Sequence, residues 1–342
     1  MCETNNLILQ PRLAAILMTY QCTAKCDECC FSCSPSLKNT ALSYEKIKSF
    51  LDQISEISSI KIVVFTGGEC FINFPLLKKC IRYAHNIGLM TRCVTNGFWA
   101  NSIENARRKI KELKAEGLSE LNFSTGDSHQ EFIPVEKVLN GVIACAEEEL
   151  EVCVSVETND SKNFKVEDFI NHPLFLENIK SSTLEEFVDI IPATWVSFHS
   201  DNTYIFDSNL SYEDTGCNGM FDTIALEGRG DIMGCCGLTS NDIKELHLGK
   251  LTDNNLSEML FEHQSDFIKI WIFVEGAKKV FEQASAWAGE IPEVYAHKCL
   301  YCAYLYNNPK LLKAIQENYQ EVQEDILSRY LQKSVQFNLL TT

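Results

Sequence analysis

Ten of the sixteen cysteines in this chain fall in clusters, and the densest follows Tyr20: Y-Q-C-T-A-K-C-D-E-C-C-F-S-C-S-P over 20–35. Within it Cys22, Cys26 and Cys29 make a C-x3-C-x2-C loop. Thiolates so spaced can hold three irons of a cubic [4Fe–4S] cluster and leave the fourth open. Protein clusters otherwise take four cysteines, so a three-cysteine loop invites an outside ligand. The competing chemistry is a tetrahedral zinc ion held by Cys26, Cys29, Cys30 and Cys33, although those two pairs are adjacent and leave little chain to wrap one ion. A second group comprises Cys217, Cys235-Cys236 and Cys299-x2-Cys302. Neighbouring residues on a strand point to opposite faces, so Cys235 and Cys236 would rarely both bind one cluster. Cys2, Cys70, Cys80, Cys93, Cys145 and Cys153 are scattered and read as small buried hydrophobes.

Elements that could position these thiols alternate along the first 200 residues. Apolar strand-like runs at 13–20, 61–65, 90–95, 120–124, 152–157 and 191–197 are separated by helical patterns at 44–55, 76–86, 103–116 and 135–148. Ser43 is a natural N-cap for the first helix. Alternation of this kind demands a parallel sheet with right-handed crossovers. Six strands are too few for a closed eight-fold barrel, so the fold class expected is α/β, a partial (β/α)6 barrel. A polar, turn-rich segment at 201–216 marks a boundary. Beyond it, 223–226 and 231–234 flank Glu227-Gly228-Arg229-Gly230 as a hairpin, and 255–285 and 309–333 read as helical. The expected organisation is a barrel over 1–200, a hairpin-and-helix unit over 201–308 and a C-terminal helix over 309–342.

Thr66-Gly67-Gly68-Glu69 follows the second strand, at the rim where barrel sites gather. Glycines there permit close backbone approach, and Glu69 can accept a hydrogen bond from an ammonium group. The bland alternative is a glycine turn that starts a helix. Thr95-Asn96-Gly97-Phe98 ends the third strand, and Ser155 and Glu157 end the fifth, where they could equally be surface polar residues.

Bulk properties narrow the classes further. The chain has 342 residues, 45% hydrophobic and 23% charged, with a formal charge of −17. That balance disfavours nucleic acid, whose phosphates need clustered Lys and Arg. It fits a basic peptide segment better. No apolar run reaches membrane-spanning length, and residues 1–10 lack a signal peptide's basic and apolar regions. A cytoplasmic protein with reduced thiols is the expectation, without a disulfide framework.

The cysteine loop after a buried strand, with G-G-E after the next, resembles the radical S-adenosylmethionine (SAM) enzymes. In that superfamily G-G-E binds the methionine amino group of SAM and the fifth strand often contacts its ribose. The resemblance therefore implies a SAM site at Gly67, Gly68, Glu69, Asn96 and Ser155, beside a cluster on Cys22, Cys26 and Cys29. One departure is Glu28, which occupies a position usually aromatic and adenine-facing. Gly230-Asp231-Ile232-Met233-Gly234-Cys235 resembles the hairpin of SPASM and twitch extensions, which carry auxiliary clusters. By that likeness Cys217, Cys235, Cys299 and Cys302 hold a second [4Fe–4S] cluster, and Cys236 is a free thiol facing away.

A sharper likeness covers about 13–306. C-D-E-C-C-F-S-C-S-P (26–35), F-T-G-G-E (65–69), T-N-G-F-W (95–99), the vicinal Cys235-Cys236, Cys299-x2-Cys302, His129 and Glu275-Gly276-Ala277-Lys278 resemble the radical SAM peptide epimerases. That family implies Cα hydrogen abstraction from an L-residue of a ribosomally made peptide by a 5′-deoxyadenosyl radical. A thiol, here Cys236, returns hydrogen to the other face and leaves the D-residue. SAM would be consumed, and an external flavodoxin- or ferredoxin-like protein would supply electrons. The alternative is a maturase forming a thioether or C–C cross-link in a ribosomal peptide. About a dozen residues precede the first strand, so no fused peptide-recognition domain is expected.

Overall fold

Strand and helix patterns in the first half become alternating layers because each helix has one apolar face. In the computed structural model, which describes residues 8–158, 163–199, 216–252 and 255–339, helix Tyr44–Ser55 buries Ile47, Phe50, Leu51 and Ile54. That i, i+3, i+4, i+7 spacing makes one stripe. Ser43 caps it, its Oγ accepting from Lys46 N at 3.2 Å. Helices Phe74–Asn86, Ile103–Ala115 and Val135–Glu147 repeat the arrangement.

The strands they cover are β1 (Leu13–Leu17), β2 (Ile62–Thr66), β3 (Met90–Thr95), β4 (Glu120–Thr125), β5 (Glu151–Glu157) and β6 (Val188–Ala193). All adjacent pairs among them are parallel. The fold is α/β, with a helical C-terminal region. Alternation assigns the two faces. Ile16, Val63, Phe65, Cys93, Leu121, Phe123, Val154 and Val156 pack outward in the main core, while Ala15, Leu17, Val64 and Val94 face inward.

Beyond the barrel come β7 (Thr223–Leu226), β8 (Asp231–Met233) and β9 (His247–Lys250). The hairpin forms where Glu227-Gly228-Arg229-Gly230 suggests it. It does not stand apart: β7 pairs in parallel with β1, so the sheet runs β6-β5-β4-β3-β2-β1-β7-β8-β9. Ile224, Leu226 and Ile232 accordingly join the barrel's own core.

The C-terminal region is divided into helices Leu256–Gln264, Phe267–Glu275, Ala277–Ala288, Lys298–Tyr306, Pro309–Asn318 and Gln320–Leu339. Asp266 restarts the second of these by capping Lys269 N (3.1 Å), and Gly276, at φ +92°, turns the chain into the third. These helices surround a second core containing Trp271, Phe273, Phe281, Leu305 and Phe337. Leu9 belongs to that core, and Arg12 forks onto Asp222 at 2.6 Å, so the N-terminal strap joins the two halves.

Two expected boundaries moved. β1 stops at Leu17 because Thr19 turns its carbonyl to Gly68 N (2.7 Å). β6 begins at Val188, three residues before the expected 191, and ends at Ala193. As the last parallel strand it is half exposed, with an apolar run too weak to fix its start. The expected boundary at 201–216, apart from Gly216, and Cys2 lie outside the described residues.

Candidate active site

Residues 18–43 leave β1 as a loop that returns to its own stem. Cys22 N donates to Ser34 O (3.1 Å) and Ser34 N to Tyr20 O (3.4 Å), so the cysteine run is a closed lobe over the sheet's C-terminal edge. Under it lies a cavity of about 210 Å³ lined by Cys22, Cys26, Cys29, Gly67, Gly68 and Asn96, and also by Glu28, Ser124, His129 and Trp195. The three thiols are near enough that each opposes ionisation of another. Burial pushes Cys22 up to about 11, and Cys26 is raised chiefly by burial and then by Cys29 and Cys22. Cys29 moves the other way, down to about 6, chiefly because the Cys33 thiol hydrogen-bonds to it; Cys33 N also donates to Cys29 Sγ at 3.3 Å. Loading iron onto such a loop displaces thiol protons.

Gly67 and Gly68 serve this lobe directly. A Cβ on Gly67 would lie 2.5 Å from Thr19 O, and one on Gly68 would lie 2.2 Å from Gln21 O. Gly67 also has φ +132°. Only glycine lets β2's end press against the stem of the cysteine loop. The sequence suggested room for a ligand; the structure shows backbone already filling it on that side.

Glu69 does not line the cavity. It is 1% exposed and accepts from Phe71 N (2.9 Å), Thr95 Oγ1 (2.9 Å) and Asn96 N (2.9 Å). Burial holds its carboxyl up at about 7 despite those donors. Thr95 also accepts from Trp99 Nε1 (3.0 Å), whose ring stacks on Phe71 at 4.5 Å. Thr95, Trp99 and Phe71 were missed as site residues, since only the fold brings them together. Asn96 lines the cavity and donates to Thr23 Oγ1 (3.1 Å) and Cys22 Sγ (3.5 Å), tying β3's end to the cysteine loop.

Ser155 pairs with Ser124 in register on the inner face, but Ser124 and not Ser155 lines the cavity. Glu157 is fully buried and accepts from Ser128 N at 3.4 Å. Glu28, the departure noted above, is buried at the cavity wall, and Ser128 Oγ donates to it. The S-T-G-D-S-H stretch thus touches the cysteine loop, with His129 packed 4.7 Å from Trp195.

The second group of thiols also assembles. Cys217, Cys235, Cys299 and Cys302 line one small pocket of about 30 Å³. Cys299 and Cys302 are one turn apart on helix Lys298–Tyr306, hence on one face. Burial raises the Cys302 thiol first, and Cys235, Cys299 and Cys217 add to that rise. Gly237 lies between two of them, its would-be Cβ 3.2 Å from Cys299 Sγ and 3.4 Å from Cys235 Sγ.

Side alternation continues past β8. Cys235 and Gly237 face that small pocket, while Leu238 lines the large cavity and Cys236 packs against the inward face with Ala15, Leu17 and Val64. Cys30 is near enough to Cys29, Cys236 and Cys299 for each to oppose its ionisation. Among the described residues no three His, Cys, Asp or Glu side chains converge closely enough for a single metal ion. The zinc alternative on Cys26, Cys29, Cys30 and Cys33 therefore lacks its geometry. No helix among the described residues is long and apolar enough to cross a membrane.

Known proteins resemble this chain in sequence and in fold. A Bacillus subtilis protein named for peptide biosynthesis, YydG, is 22% identical over 306 residues, covering 87% of this chain and 92% of that one. The solved structure of anSMEcpe with bound AdoMet superposes with a TM-score of 0.56 at 14% identity, covering 92% of this chain and 99% of that one. It shares the fold. A structure of BtrN in complex with AdoMet and 2-DOIA covers 77% of this chain at 13% identity and a TM-score of 0.46. Residues 16–170, from β1 through β5, match the family model described as the Radical SAM superfamily.

Proposed function

We propose that this protein is a radical SAM peptide epimerase, an isomerase that inverts an L-residue of a ribosomally made precursor peptide to D. The observation that carries this reading is the placement of Cys236. It follows a residue of the four-thiol pocket yet packs on the barrel's inner face, beside the cavity of the three-thiol loop. Support for a peptide comes from the likeness to YydG, and support for SAM from the superfamily match and from the AdoMet bound in anSMEcpe.

Cys22, Cys26 and Cys29 would hold one [4Fe–4S] cluster, and Cys217, Cys235, Cys299 and Cys302 a second. When bound and reduced, the first supplies the electron that splits SAM into methionine and a 5′-deoxyadenosyl radical. This chain's residues then have three tasks. Gly67, Gly68 and Asn96 shape the wall against which SAM lies, with Glu69 behind them fixing the backbone of Thr95 and Asn96 and Ser155 available deeper on the inner face. The inward residues Ala15, Leu17 and Val64 are inert, so a Cα radical on the peptide meets no competing donor there. Cys236 gives its sulfur-bound hydrogen atom to that radical from the face opposite abstraction. Burial holds its thiol up at about 11, so the hydrogen is present at neutral pH. The thiyl left behind regains its hydrogen as an electron, from an external flavodoxin- or ferredoxin-like donor, and a proton from solvent; a cluster on Cys217, Cys235, Cys299 and Cys302 would supply electron-transfer chemistry beside it.

The test is Cys236→Ala incubated with SAM, reductant and precursor in deuterated water. Wild type should give product of unchanged composition carrying one deuterium at the inverted Cα. The variant should keep both clusters and form 5′-deoxyadenosine yet give no D-residue. Normal inversion by the variant sinks the assignment, and a product lighter by two hydrogens moves the protein to the cross-linking class.

A further inference from the structure

We infer that the Tyr20 hydroxyl is the joint that holds the Cys236 loop in register over the Cys22–Cys29 loop, a positioning role that rests on the epimerase reading. Tyr20 stands two residues before Cys22 and belongs to the stem of that loop: its carbonyl accepts from Ser34 N, and its N–H donates to Thr40 Oγ1 at 3.0 Å. Its ring is 2% exposed beneath the β7–β8 turn, where a Cβ on Gly228 would come within 2.9 Å of it. The hydroxyl donates toward Glu227 Oε2 at 2.7 Å and Asn241 Oδ1 at 3.0 Å. Glu227 cannot swing away, because its other oxygen accepts from Arg229 N (2.9 Å) and Asp231 N (2.8 Å).

Asn241 ends the stretch that starts at Cys235 and carries Cys236 onto the inner face and Leu238 into the large cavity. That stretch is anchored to the four-thiol side at Thr239, whose Oγ1 donates to Cys299 O at 2.6 Å. At Asn241 it is anchored to the three-thiol side through Tyr20. One phenol therefore meets the cysteine loop, the hairpin turn and the donor loop. A residue needed for packing alone would be served by phenylalanine; this hydroxyl meets the buried Glu227 carboxylate and the half-buried Asn241 amide, and leaving a buried acceptor unmet is costly. Hydrogen transfer from sulfur depends steeply on distance, and a displacement of about 1 Å can cost on the order of a hundredfold.

The experiment compares wild type, Tyr20→Phe and Asn241→Ala as holoenzymes. Three quantities are read: 5′-deoxyadenosine formed, D-residues made per 5′-deoxyadenosine, and the rate at which iodoacetamide alkylates Cys236. Both variants are expected to keep wild-type iron and 5′-deoxyadenosine formation, while D-residues per 5′-deoxyadenosine fall about tenfold or more and Cys236 alkylation speeds several-fold. An unchanged ratio and alkylation rate in both variants overturns the inference. A loss of iron and 5′-deoxyadenosine in step with D-residues, in both, also overturns it by showing a merely structural role. If Tyr20→Phe alone fails to fold, Asn241→Ala decides. If wild type makes no D-residue, the epimerase reading fails, and the alkylation rate alone decides the joint.

Discussion

The two thiol groups of this molecule are built on opposite plans. One is a local lobe of sequence, three cysteines within eight residues, closed over a cavity of about 210 Å³ with polar and aromatic walls. The other draws Cys217, Cys235, Cys299 and Cys302 from three distant stretches into a pocket of about 30 Å³, almost wholly apolar around the sulfurs. A site that must admit a reactant needs space and a short, self-contained ligand loop that leaves one face open. A site that only passes an electron is better closed, with its fourth ligand supplied by the protein. Three thiols beside a roomy cavity and four around a cramped pocket fit the division of labour proposed above, radical formation at one and electron relay at the other.

The largest effect should come from breaking each site in turn. Cys26→Ala should remove 5′-deoxyadenosine formation and lower iron from about eight to about four per chain, as two four-iron clusters require. Cys302→Ala should lower iron by the same amount yet retain a burst of 5′-deoxyadenosine, with inversion halting after the first turnover. Iron analysis and single-turnover chromatography would check both, and identical behaviour of the two variants would erase the contrast.

A smaller effect tests the lobe's seat. Gly68→Ala puts a methyl 2.2 Å from Gln21 O, so the cysteine loop must lift. A stability loss of about 1–3 kcal/mol is expected from such overpacking, with the first site's iron lost before the second's. Denaturant titration and iron analysis together would show it.

The subtlest to read is a pH effect at Glu69, comparable in energy but spread over several pH units. Its folded pKa, about 7, lies above the unfolded value. Its contribution to stability is therefore full below the unfolded carboxylate pKa and lost as pH rises through about 7, a swing on the order of a few kcal/mol. The ligand-free protein should melt at a lower temperature at pH 8 than at pH 5. Glu69→Gln, which disturbs the donors around it, should lower the whole curve and flatten it across that window. Scanning calorimetry at several pH values would read the slope, and an equal slope in both proteins would refute the account.

Much of this could be read from residue order. Strong periodicity placed β1 to β5 and their helices, because buried strands and one-sided helices leave different repeats. The cysteine spacing pointed to the three-thiol loop, and the vicinal pair pointed to opposite faces for Cys235 and Cys236. Other features had no local signal. Tyr20 looks like one more apolar residue at a strand's end; its partners Glu227 and Asn241 are over two hundred positions away. Glu69 gives no sign in the sequence that protein donors would engage both its oxygens. Gly67 and Gly68 announced close contact but not with what. The β1–β7 pairing was hidden for the same reason: four residues, T-I-A-L, fit a free hairpin as well as the flank of a barrel.

That pairing has a practical consequence for anyone handling the protein in pieces. β1 is bordered by β2 on one side and β7 on the other, so a fragment ending near residue 200 would strip one flank of its most apolar strand and leave a row of unanswered amides and carbonyls. Such a fragment should stick to itself.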